Sequence, residues 1–102
     1  MFLKGWIKLY MDILFSEKMG EMDDHLWRRC IELFLCAGMI GEKGKLDSPD
    51  RLAYLIHTDV PDVEACLKEL SEAGTIVYGN DGTAYIKNFE KYQGRKTVKS
   101  EK

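Results

Sequence analysis

Three cysteines, Cys30, Cys36 and Cys66, and two histidines, His25 and His57, are the residues best suited to metal or redox chemistry. Their spacing argues against both. No two cysteines form a C-x-x-C pair, and neither histidine completes a zinc pattern with them. An odd number of thiols suits reduced core cysteines in a cytosolic protein. Asp23-Asp24-His25 offers three donors in a row, but acids at a helix start serve first as partners of its dipole. The stretch Gly41-Glu42-Lys43-Gly44-Lys45 resembles part of a phosphate-binding loop. However, Leu46 stands where magnesium would need a hydroxyl, and no glycine lies at the required upstream spacing. No nucleophile is paired with a base at a recognisable spacing. We therefore expect no catalytic residue, no metal and no cofactor.

The remaining chemistry lies in charge. The chain has 102 residues, 45% of them hydrophobic and 31% charged, with a net charge of -2. That length favours one small domain with a single core. The charge is unevenly spread. After Gly94, Arg95, Lys96, Lys99 and Lys102 face one acid, Glu101, so an acidic body carries a basic tail. No apolar run reaches the ~18 to 20 residues of a membrane helix. The N-terminus, which opens MFLKGW, is a poor signal peptide because Lys4, Lys8 and Asp12 interrupt its apolar residues. A soluble, cytoplasmic protein without membrane contact is expected.

The elements that would position these charges follow from periodicity and caps. Apolar residues at Trp6, Ile7, Leu9, Tyr10, Ile13 and Leu14 suit a helix with one buried face; Trp6 to Leu9 could instead be extended. Ser16 to Met22 is a connector. Asp23 caps a core helix running to about Gly38, with its stripe at Leu26, Trp27, Cys30, Ile31, Phe34 and Leu35, and with Arg28, Arg29 and Glu32 off it. Ser48-Pro49-Asp50 is a strong helix start. Asp59 caps a further helix whose stripe is Val63, Cys66, Leu67 and Leu70, ending at Ala73-Gly74. Thr75 to Tyr78 and Thr83 to Lys87 flank Gly79-Asn80-Asp81-Gly82, a hairpin turn. Phe89 to Tyr92 is a helical turn, and 94–102 a flexible basic tail or linker. The expected fold is mainly α with a small β-hairpin, a winged helix-turn-helix over 1–93 with an N-terminal helical extension. Its small first strand would lie near Lys45-Leu46.

Four stretches carry a family resemblance: "WIKLYMDIL", "HLWRRCIELFLCAG", "VEACLKELSEAGTI" and "AYIKNFEKYQ". Together they resemble the N-terminal domain of phage replisome organiser proteins, a group similar to the DnaD-type primosomal proteins of Gram-positive bacteria. The resemblance runs from Trp6 to Gln93 and is most specific at the WIKLY start and the FEKYQ end. It implies a part in starting DNA replication, through origin DNA and partners such as a helicase or its loader. It also implies self-association, and further domains after this one. A winged-helix transcription regulator is the alternative, since fold does not decide function.

The second helix of the helix-turn-helix is a poor DNA reader. Between Asp59 and Ala73 five acids stand against Lys68 alone. Phosphate repels such a face, and the side chains best suited to reading guanine and adenine edges are missing from it. DNA contact is expected instead from the wing and tail: Lys43, Lys45, Lys87, Lys91, Arg95, Lys96 and Lys99. Tyr78, Tyr85 and Tyr92 are candidates for stacking on single strands. The segment Met1 to Leu14 holds more large apolar groups than one helix face can bury. Phe2, Leu3, Trp6, Ile7 and Tyr10 are therefore the candidates for self-association, most simply as a dimer.

Overall fold

Asp23, Ser48 and Asp59 each stand one residue before a helix and close its first turn in the same way. Asp23 accepts from the Leu26 N–H at 2.8 Å, Ser48 from Arg51 at 3.3 Å and Asp59 from Asp62 at 2.9 Å. Each satisfies one of the backbone donors that a helix start leaves without a partner. The computed structural model describes residues 6–41 and 43–93. Its helices are α1 (Glu17–Gly20), α2 (Asp24–Ile40), α3 (Pro49–Leu55), α4 (Val60–Glu72) and α5 (Phe89–Gln93). An antiparallel hairpin, β1 (Ile76–Tyr78) and β2 (Ala84–Ile86), lies between α4 and α5. The protein is thus mainly helical with a two-stranded hairpin.

The N-terminal segment departs from the expected helix. Trp6 to Tyr10 forms no helix, and Met11–Phe15 coils as a 3₁₀ helix whose first bond runs from the Ile13 N–H to the Tyr10 carbonyl at 3.1 Å. The connector that follows holds the single turn of α1, capped by Ser16. Long-range contacts explain the non-helical start. The Lys8 N–H donates to Gln93 Oε1 at 2.9 Å, and Gln93 Nε2 donates back to the Lys8 carbonyl at 3.3 Å. Tyr10 meets Tyr92 edge to face, with ring centroids 5.8 Å apart. A helix from Trp6 would commit the Lys8 carbonyl to the Asp12 N–H and take it from Gln93.

α2 runs through the centre and continues past Gly38, which lies buried inside it rather than ending it. A methyl group on Gly38 would run into Ile7 Cγ2, so this glycine lets the N-terminal segment approach. The helix stops instead at Gly41. Its inner face centres on Cys30, Leu33 and Ala37, with Trp27, Ile31 and Phe34 only partly buried and Leu35 exposed. Contacts on several sides widen the buried arc beyond one stripe. α4 follows its expected pattern: Val63, Cys66, Leu67 and Leu70 are all buried. All three cysteines are free and buried, and burial pushes each thiol up to about 11.

β2 is paired on both edges. Ile76, Val77 and Tyr78 face Ile86, Tyr85 and Ala84 across the hairpin. On the other edge Lys45 bridges Tyr85, the Leu46 N–H donating to Ala84 at 2.9 Å and the Ile86 N–H to Gly44 at 2.8 Å. Gly44 sits at φ 85°, and a Cβ there would lie 2.6 Å from Phe89 Cβ and 2.8 Å from the Ile86 carbonyl. The backbone needs glycine here for both reasons.

Candidate nucleic-acid interface

Strand alternation decides which side chains share a face. Ile76, Ile86, Ala84 and Leu46 are buried on the inner face of the hairpin and its bridge. Lys45, Tyr85 and Val77, opposed across the ladder, therefore share the outer face. Lys87 lies two residues beyond Tyr85, and its N–H continues the ladder to Thr75 at 2.9 Å. Lys43 is exposed just before Gly44, whose positive φ turns the chain there. Lys91 is exposed on α5. The fold thus brings Lys45 and Lys87 onto one surface around half-buried Tyr85, with Lys43 and Lys91 beside it in the chain. Tyr78 is exposed near the turn, and Tyr92 packs on Tyr10. Arg95, Lys96 and Lys99 lie outside the described residues.

A groove separates this surface from α4. Lys45 and Asp81 line it on one side, and Glu64, Lys68 and Glu72 on the other. Asp81 caps the turn by accepting from the Thr83 N–H at 3.0 Å. That bond, with Lys45 nearby, holds its carboxyl below the usual range. Glu64, Glu69 and Glu72 project from α4 into solvent with Lys68 among them.

Asp62, in the first turn of α4, is different. It turns away from the outer face of α4 and joins α4 to α2. Oδ2 accepts from Arg29 Nε at 2.8 Å and from Thr58 Oγ1 at 2.7 Å, while Oδ1 meets His25 Nε2 at 2.7 Å. Arg29 was expected off the buried stripe, yet it is only 8% exposed. Its second arm, Nη1, donates to Glu32 Oε1 at 2.6 Å. Burial opposes the Arg29 charge, but the Glu32 and Asp62 carboxylates outweigh it and raise its pKa. The bonds from His25 and Thr58, with Arg29 behind them, hold the Asp62 carboxyl well below the usual carboxylate range. The i, i+3 and i, i+4 spacing of Arg29 and Arg28 to Glu32 was visible in the sequence; the partner 33 residues away was not.

The candidate self-association residues are divided by the structure. Trp6 is 54% exposed, Tyr10 rests on Tyr92, and Ile7 turns inward against Gly38. Phe2 and Leu3 lie outside the described residues. Among the described residues the 3₁₀ helix exposes three large apolar groups side by side, Met11 at 81%, Leu14 at 71% and Phe15 at 84%; Tyr54 on α3 is as exposed as Leu14. No family model, curated protein or solved structure matches the chain. Among the described residues no helix is long and apolar enough to cross a membrane.

Proposed function

We propose that this chain is a winged helix-turn-helix module of a replication-initiation protein of the phage replisome organiser kind, without catalytic activity. It touches nucleic-acid backbone through the outer face of its sheet and tail, and assembles with other proteins through its remaining surfaces. The observation that carries the reading is the Lys45–Tyr85–Lys87 face, flanked by Lys43, on the sheet beside an acidic α4. Lysines supply sequence-indifferent attraction to phosphate, and a tyrosine among them suits base stacking. The element order α2, Gly44–Leu46 bridge, α3, α4, hairpin is compatible with a winged helix, with β2 between two partners. In this reading the hairpin is the wing and α4 the recognition-helix position, turned from groove reading by its charge.

The replication context rests on the resemblance alone. The two most specific stretches, WIKLY and FEKYQ, lie at opposite ends of the domain and touch through Lys8–Gln93 and Tyr10–Tyr92. Their residue types make sense as one packed unit. The acidic outer face of α4 is then open to a protein partner such as a helicase or its loader, and Met11, Leu14 and Phe15 to a second copy of the chain.

Fluorescence anisotropy with single- and double-stranded DNA at two salt concentrations tests the nucleic-acid contact. The combined variant Lys43→Ala, Lys45→Ala, Lys87→Ala is expected to bind at least about tenfold more weakly at low salt, with a salt slope flatter by roughly 2 to 3. A chain ending at Gln93 is expected to lose a further share through Arg95, Lys96 and Lys99. Unchanged affinity and slope in the triple variant would remove the sheet face from the reading.

A further inference from the structure

The polar joint between α2 and α4 contains a second arrangement. His25 Nε2, Asp62 Oδ1 and Cys66 Sγ converge, all within 4.8 Å of one another. Asp62 and Cys66 are one helical turn apart on α4, so their side chains share a face. His25 reaches them from the first turn of α2. Cys66 Sγ is 3.8 Å from Asp62 Oδ1, the same oxygen that meets His25. We propose that these three residues form a binding site for zinc or a similar borderline-soft divalent cation, with water completing a tetrahedron.

The donor types carry the argument first. Thiolate, imidazole and carboxylate are the three side-chain ligands that zinc favours. Distances come second. With zinc–ligand bonds of about 2.0–2.3 Å, tetrahedral donors sit roughly 3.3–3.8 Å apart. The Cys66–Asp62 separation of 3.8 Å meets that span, the His25–Asp62 contact must open by about half an ångström, and the His25–Cys66 pair, within 4.8 Å, must close by up to about 1 Å. His25 can move, because its side chain is 55% exposed. That exposure also gives the ion a path from solvent and leaves room for the water.

The surrounding hydrogen bonds suit such a site. Thr58 and Arg29 both hold Asp62 Oδ2, which orients the carboxylate and leaves Oδ1 toward His25 and Cys66. Bonds of this outer kind fix ligand geometry in metal sites. The Arg29 charge does not stand alone against the cation, since Glu32 shares it at 2.6 Å. Binding exchanges the Cys66 thiol proton for the metal: Zn²⁺ and the thiol give a zinc–sulfur bond and one released proton. A dication with one thiolate and one carboxylate is then neutral, as a half-buried site requires.

Cobalt(II) titration of the full chain, followed by absorption, tests this directly. One equivalent is expected to bind, with a thiolate-to-cobalt charge-transfer band that Cys66→Ser abolishes. His25→Ala is expected to weaken binding at least tenfold, while His57→Ala, an exposed histidine that is not one of the three donors, leaves it unchanged. Because Cys66 is buried, His25→Ala carries the test if Cys66→Ser fails to fold. Zinc is expected to raise the melting temperature of the native chain and of His57→Ala, but not of His25→Ala. A titration without a charge-transfer band, a band that survives Cys66→Ser, or an affinity indifferent to His25→Ala would overturn the site.

Discussion

The outer face of the sheet and the outer face of α4 carry opposite charge, and a groove lined by Lys45 on one side and by Glu64, Lys68 and Glu72 on the other lies between their near edges. Lys45 and Lys87 surround Tyr85 on the first; Glu64, Glu69 and Glu72 outnumber Lys68 on the second. Both faces are solvated, so neither charge is required by packing. If α4 holds the recognition-helix position proposed above, its acids make it less suited to phosphate than the lysine-bearing sheet. Among the acids of α4, the fold further separates Asp62, used inward as a tie to α2, from the glutamates left in water.

The largest expected effect comes from detaching the sheet edge that carries Lys45. Gly44→Ala meets positive φ and the Phe89 and Ile86 contacts at once. It should cost about 2–4 kcal/mol, read as a lower urea midpoint. If stability is unchanged, Lys45 is not held on this face as described. Next is the tie that sets α4 against α2. Arg29→Ala leaves the Asp62 carboxylate without its cation, and a loss of about 2–3 kcal/mol is expected, below that of a fully buried pair because Asp62 keeps some solvent. Chemical denaturation measures it, and a loss under about 0.5 kcal/mol would make the tie ornamental.

Acid separates Asp62 from the outer glutamates more gently. Its folded pKa lies below the unfolded value, so its contribution is complete above the ordinary aspartate range near about 4. That contribution is lost as pH falls through the depressed folded value. Stability measured between about pH 6 and about pH 3 should therefore decline more in the native chain than in Asp62→Asn. Equal declines would mean other carboxylates govern the acid limb. The smallest effect belongs to the outer face itself. Glu64→Gln with Glu69→Gln should shift stability by less than about 0.5 kcal/mol. Screening should keep the gain in DNA affinity under about twofold at physiological salt. A large gain would show that α4 lies close to DNA and would erase the contrast.

Local grammar made much of the scaffold legible. The Asp23, Ser48 and Asp59 caps, the Val63–Cys66–Leu67–Leu70 stripe and the Gly79–Gly82 turn are decided within a few residues, and each stands where the sequence indicates. The candidate surfaces were legible only as lists. Period-two alternation assigns faces once pairing is known, but nothing near Lys45 specifies that it opposes Tyr85, forty residues later. Gly38 read as a helix stop because the residue that needs its missing side chain, Ile7, is remote in sequence. Arg29 read as a surface residue because charged side chains are rarely buried without a partner, and its partner lies on another helix.

The sequence by itself determined the order and type of the main elements after Met22, the acidic character of α4 and the supply of lysines near the hairpin. These depend on backbone propensity, capping and periodicity, which act over a few residues. Long-range contacts decided that Trp6 to Tyr10 is not helical, that Asp62 and Arg29 meet, and that His25 approaches Cys66. Those outcomes require segments distant in the chain to share one small volume, where a hydrogen bond or a missing methyl group selects between local alternatives of similar energy.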